Sequence, residues 1–175
     1  MLINPYTVSQ HPFPHHQRFL LVAYLTNEMD LNVKAFLQRL VEWAKNEPGL
    51  MALALVGSQA RGKASAKSDV DLILLVRNPE AYLKNLDWVS EFGKPAHIVI
   101  EDYGKVTSLR VFYADGLEVE YGLSDFEWGS DPKDEGDAQV ITDGLIVLFE
   151  KYGHLSSKLN CFFTSSLPNS IIDAG

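Results

Sequence analysis

Between Met29 and Lys45 the apolar residues Leu31, Val33, Phe36, Leu37, Leu40, Val41 and Ala44 recur at three- and four-residue spacing, with Asp30 placed to cap. That pattern predicts an amphipathic helix. "GLMALALV" (49–56) is a continuous apolar run and predicts a buried strand, while "SQARGKAS" (58–65) predicts a turn leading into a short helix. "DVDLILLV" (69–76) reads as a second strand, "PEAYLKNLDWVSEF" (79–92) as a helix, and "AHIVIEDYG" (96–104) as a third strand. In "SLRVFYADGLEVEYGL" (108–123) two alternating runs meet at Asp115-Gly116, a strong hairpin signal, so the sheet is expected to be mixed. "DEGDAQVITDGLIVLFEKYGHLSSKL" (134–159) predicts one or two helices.

The pattern yields one domain with two ragged ends: an irregular arm over 1–27, a folded domain over 28–160, and a tail over 161–175 that matches no element. Three prolines and three of the five histidines crowd the first 17 residues. His15 and His16 are metal ligands by type, but in such an arm exposure without a role is the simpler expectation. No repeat or low-complexity segment stands out.

Composition narrows the function. At 46% hydrophobic residues, 175 residues suffice for a core. A formal charge of −8 offers no basic field, so non-specific nucleic-acid binding is not expected. One cysteine, Cys161, makes neither an internal disulfide nor a thiolate metal site, which suits a reducing compartment. The N-terminus lacks a basic start followed by a long apolar core, and no run reaches the roughly 18–20 apolar residues of a membrane span. A cytoplasmic protein with no membrane partner is expected.

"GSQARGKA" (57–64) comes close to the G-x-x-x-x-G-K-[ST] phosphate loop, in which the hydroxyl after the lysine ligates magnesium. Here that position is Ala64, and Ser65 comes one residue late, which argues against such a loop. "SDVDL" carries different chemistry. Asp69 and Asp71 are two apart on a predicted strand, so their carboxylates leave the same face, where they repel unless a cation lies between them. Paired hard oxygens suit magnesium together with substrate phosphates. Taken alone, the pair is equally a solvated strand end. A second acid-x-acid pair, Glu118 and Glu120, lies on the second arm of the hairpin. If that arm lies beside the Asp69 strand, a third carboxylate reaches the same pocket and completes a site of the two-metal phosphoryl-transfer kind. The plainer alternative for the glutamates is the polar face of an edge hairpin.

"GSQARGKASAKSDVDL", a Gly-Ser, Arg-Gly, Ser-Asp-x-Asp arrangement, resembles the signature of the DNA polymerase β-like nucleotidyltransferases, and the resemblance covers residues 50–122. "DGLEVEYGLSDFEW" and "VITDGLIVLFEKYGHL" resemble, less specifically, small bacterial nucleotidyltransferase-domain proteins related to aminoglycoside adenylyltransferases. The resemblance implies an α/β (α+β) nucleotidyltransferase fold, a mixed β-sheet with helices packed on it. It also implies an enzyme that moves a nucleoside monophosphate, AMP from ATP in the first instance, to a hydroxyl of an unidentified acceptor, releasing pyrophosphate. By position, Gly57, Ser58, Arg61 and Ser68 would serve the nucleotide, and Asp69, Asp71 and Glu120 would hold Mg2+ and carry catalysis, with Glu120 favoured over Glu118. In that superfamily the third acid is usually aspartate. Relatives that modify antibiotics carry an extra helical domain, so a homodimer would be one way to complete the acceptor pocket. The competing readings are a non-catalytic nucleotide- or partner-binding module and an antitoxin-like protein modifier. Trp88, Trp128, Phe126 and Tyr121 offer faces for a base, although packing is the simpler role.

Overall fold

Asp30 caps the first helix, accepting from the backbone N–H of Asn32 at 2.8 Å and of Val33 at 3.4 Å. The computed structural model describes residues 29–131 and 134–165, so the N-terminal arm with His15 and His16, and the end of the tail, lie outside the described residues. Helix α1 (Leu31–Asn46) buries Val33, Phe36, Leu37, Leu40, Val41 and Ala44, as its spacing predicts. Leu31, in the first turn, is instead 78% exposed.

Among the described residues six strands form one sheet: β1 (Leu50–Val56), β2 (Val70–Val76), β3 (Pro95–Asp102), β4 (Thr107–Tyr113), β5 (Glu118–Ser124) and β6 (Ile146–Glu150), in the order β3-β4-β5-β2-β1-β6. Only the central β2–β5 pair is parallel, so the sheet is mixed. The continuous apolar runs of β1 and β2 are explained by helices on both faces. On one face Leu53, Leu55, Leu72, Leu74, Tyr121 and Leu109 join the core under α1. On the other, Ala52, Ala54, Ile73 and Leu75 join Trp128, Ile141, Leu155 and Phe162, the last three from α4 (Glu135–Asp143) and α5 (His154–Ser165).

Four local expectations need correction. The helical turn α2 (Gly57–Ala60) precedes the loop over 61–68 instead of following it. The predicted helix over 79–92 breaks at Asn85 into α3 (Pro79–Lys84) and a 3-10 turn (Asp87–Glu91), which lets Trp88 donate to the Tyr82 carbonyl at 3.1 Å. Trp88 then stacks on Trp43 with ring centroids 5.5 Å apart and meets Tyr121 edge-on at 4.9 Å, so packing in the core overrides helix continuity. "IVLFE" is not helical but forms edge strand β6, bounded by Gly144 (φ +129°) and by Tyr152 and Gly153 in positive φ. Finally, α5 continues through Asn160–Ser165, a stretch that the sequence pattern assigns to no element.

Candidate active site

The hairpin register decides what surrounds the acids. A two-residue turn at Asp115-Gly116 would set Arg110 opposite Tyr121. Instead the Tyr113 N–H donates to the Leu117 carbonyl at 2.8 Å, leaving a three-residue loop with Gly116 at φ +92°, and Arg110 pairs with Glu120. β5 in turn pairs in parallel with β2, setting Glu120 beside Asp71. One row therefore runs across five strands: Val99, Arg110, Glu120, Asp71, Val56. This row lies on the face that α4 and α5 cover only in part.

Asp69, Asp71 and Glu120 each present a carboxylate oxygen within 4.8 Å of the others, and all three are half-buried. Glu118 is not in that trio. It is held by Arg110, whose Nη1 is 2.8 Å from Glu118 Oε1 and 3.5 Å from Asp69 Oδ2, while Nη2 pairs with Glu120 Oε2. Ser108 Oγ donates to the other oxygen of Glu120 at 2.8 Å. Burial, then the charges of Asp69 and Glu120, push the Asp71 carboxyl up from 3.8 to about 6, against the opposing pull of Arg110 and Arg61.

Gly57 has φ +66°, and a Cβ placed on it would lie 1.9 Å from Asp71 Oδ2. The sequence reading gives that glycine to a phosphate; the structure shows that it already makes room for the carboxylate. Ser58 Oγ is buried with no hydrogen-bond partner among the described residues. Arg61 is exposed and lines the cleft beside Asp71. Ser68 is engaged locally, its Oγ accepting from the Ser65 N–H at 2.9 Å in the loop that delivers Asp69. Lys63 is exposed and does not line the cleft.

A cleft of about 400 Å³ extends from Gly57, Asp71 and Glu120 to Tyr103, Lys105, Asp134 and Asp137. Lys105 spans its far end, its Nζ 2.6 Å from Asp134 Oδ2, which ties the β3–β4 turn to the cap of α4. Asp137 is buried and accepts from the Gly129 N–H at 2.8 Å; burial raises its pKa. Trp88 and Tyr121 pack on the α1 side of the sheet, away from the acids, and Trp128 is 1% exposed within the opposite core. Phe126 is partly buried beside His154. Of the four aromatic candidates only Trp128 lines the cleft.

Arg110 and Ser108 were not among the candidates read from sequence. The only sequence signal for them is alternation along β4, which places both on the face of the glutamates once the loop length is known.

The donor set fits a hard divalent cation: three carboxylates converge, and a hydroxyl unpartnered among the described residues and an αL glycine adjoin them. No helix among the described residues is long and apolar enough to cross a membrane.

Residues 32–149 match the family model described as streptomycin adenylyltransferase. No curated protein matches the chain. Among solved structures it is similar to an aminoglycoside 6-adenyltransferase from Bacillus subtilis, at 17% identity over 55% of this chain and 36% of that one, TM-score 0.43. It is also similar to the Thermotoga maritima CCA-adding enzyme complexed with tRNA, at 17% identity over 79% of this chain and 33% of that one, TM-score 0.45. A cytoplasmic RNA terminal U-transferase aligns at 15% identity over 73% of this chain and 37% of that one, TM-score 0.46. The chain thus spans only 33–37% of the length of these three structures.

Proposed function

The chain belongs to the streptomycin adenylyltransferase family, and from that premise and the carboxylate trio we propose that it is a magnesium-dependent nucleotidyltransferase. It moves AMP from ATP to a hydroxyl on an acceptor molecule. The observation that carries this reading is the convergence of Asp69, Asp71 and Glu120 within 4.8 Å beside the Gly57-Ser58 turn. Asp69, Asp71 and Glu120 hold the metal, which when bound polarises the α-phosphate and stabilises the attacking and leaving oxygens. Gly57 and Ser58 meet the outer phosphates through backbone and hydroxyl, and Arg61 adds a positive charge at the cleft mouth. The acceptor oxygen bonds to the α-phosphorus as the bond to the β-phosphate oxygen breaks, and pyrophosphate leaves. Glu120, or Glu118 beside it, receives the hydroxyl proton.

Thermal shift with each of the four nucleoside triphosphates tests the site. ATP is expected to raise the Tm only when Mg2+ or Mn2+ is present, because a triphosphate approaching an acidic cleft in a chain of charge −8 is otherwise repelled. An equal shift in excess chelator contradicts the metal site. Mass spectrometry after incubation with labelled ATP and candidate acceptors then tests the reaction. A labelled small molecule supports the proposal, a labelled protein moves the acceptor to a protein side chain, and no label leaves a binding module.

The turn is tested separately. Ser58→Ala should weaken nucleotide affinity about 5–10-fold by removing a buried hydroxyl that has no hydrogen-bond partner among the described residues. Lys63→Ala should change it less than about twofold, since that side chain is solvent-exposed and outside the cleft. A dominant lysine effect in isothermal titration would restore the phosphate-loop reading.

A further inference from the structure

Arg110 carries a positive charge into the acid cluster. It projects from β4 directly across from Glu120, and its planar fork reaches three carboxylates, those of Asp69, Glu118 and Glu120. Asp69 and Glu120 belong to the trio that fits a metal, whereas Glu118 does not. The side chain is 29% exposed, so water screens it only in part.

A guanidinium in this position acts in two ways. Its fork holds both glutamates, Nη1 on Glu118 and Nη2 on Glu120, and with Ser108 on the other oxygen of Glu120 it fixes that carboxylate where it also meets Asp69 and Asp71. Its charge also occupies the same field that would attract a divalent cation, and like charges a few ångströms apart in a half-buried site oppose each other strongly.

We propose that Arg110 is a built-in counter-ion: a positioning residue that presents Glu120 to the metal and competes with the metal for Asp69. Metal entry then requires the guanidinium to leave Asp69 and stay on the glutamates, so the metal-free cluster is held together without a bound ion. This rests on the reading of the trio as a metal site.

The test is Mn2+ binding by the full chain without nucleotide, followed by calorimetry and by the electron paramagnetic resonance signal of free Mn2+. Arg110→Gln should bind Mn2+ at least about tenfold more tightly than wild type, because a competing charge is gone, and its metal-free Tm should fall. Arg110→Lys keeps the charge but not the fork, and should stay within about threefold of wild type. The double variant Arg110→Gln, Glu118→Gln leaves net charge unchanged and should still bind more tightly. It separates competition at Asp69 from overall charge, and it carries the test if the single variant does not fold. Equal or weaker binding by Arg110→Gln, or by the double variant, overturns the inference while leaving the metal reading in place. Absence of Mn2+ binding in wild type and variants alike overturns the metal reading and the inference with it.

Discussion

Asp71→Asn should abolish nucleotidyl transfer, cutting kcat by at least about 10²–10³-fold, and yet give a metal-free protein that melts at or above the wild-type temperature. The two halves of this expectation have one cause. Asp71 sits between Asp69 and Glu120 in a half-buried site, and burial with those two charges pushes its carboxyl up to about 6. In the unfolded chain the same group titrates near 3.8. The folded state therefore binds the proton more tightly than the unfolded state between those values. Stability contributed by that proton is complete below about pH 4, declines as pH rises, and is gone above about 6. The asparagine removes the repulsion at every pH, so its metal-free Tm should lose this component of the decline between pH 4 and 6. Because Asp71 is only half-buried, solvent screens part of this repulsion, and the gain at neutral pH should be small. With Mn2+ or Mg2+ present the order reverses, since wild type gains stability from the ion and the asparagine variant gains less. A metal-free Asp71→Asn protein that unfolds well below wild type would make Asp71 a structural partner and not a ligand.

The second large effect is expected at Gly57. Its φ of +66° lies in the left-handed region, which costs an L-residue about 1–2 kcal/mol and a β-branched residue more. Space is the harder limit: the smallest side chain would place a carbon 1.9 Å from Asp71 Oδ2 and 2.8 Å from its Cγ. Gly57→Ala must displace either the helical turn or the Asp71 carboxylate. Activity should fall about 10²-fold or more, because a shift of about 1 Å at a positioned group costs that much. Gly57→Val should also lower the Tm by several degrees. Circular dichroism melts and a Mn2+ titration separate the two losses. Wild-type metal affinity in Gly57→Ala would show that Asp71 accommodates the carbon and is not fixed by this contact.

The parts of the fold legible in the sequence are those whose signals are local. The α1 face, the buried runs of β1 and β2, and the β4–β5 hairpin follow from spacing of three to four residues, from continuous apolarity and from alternation. The elements misread are those for which tertiary contacts outweigh local preference. "IVLFE" is strand because β1 offers an unpaired edge, and the helix around Asn85 breaks because Trp88 gains a stacked and hydrogen-bonded place in the aromatic core.

For the site, the sequence by itself determined which groups exist and which face each occupies: Asp69 and Asp71 two apart, Glu118 and Glu120 two apart, and a Gly-Ser turn ahead of them. Strand geometry has a period of two, so same-face placement needs no knowledge of the fold. Which of these groups meet was decided by the tertiary structure. The parallel pairing of β2 with β5 joins residues 49 positions apart, Asp71 and Glu120, and no local pattern encodes that register. One extra residue in the hairpin loop then turns Arg110 onto the acid face, where it grips both glutamates, of which only Glu120 also belongs to the trio. A shift of one residue in a strand exchanges every side chain between faces, so the loop closure decided whether Arg110 meets the acids, while the register of β5 against β2 decided that Glu120 and not Glu118 stands beside Asp71.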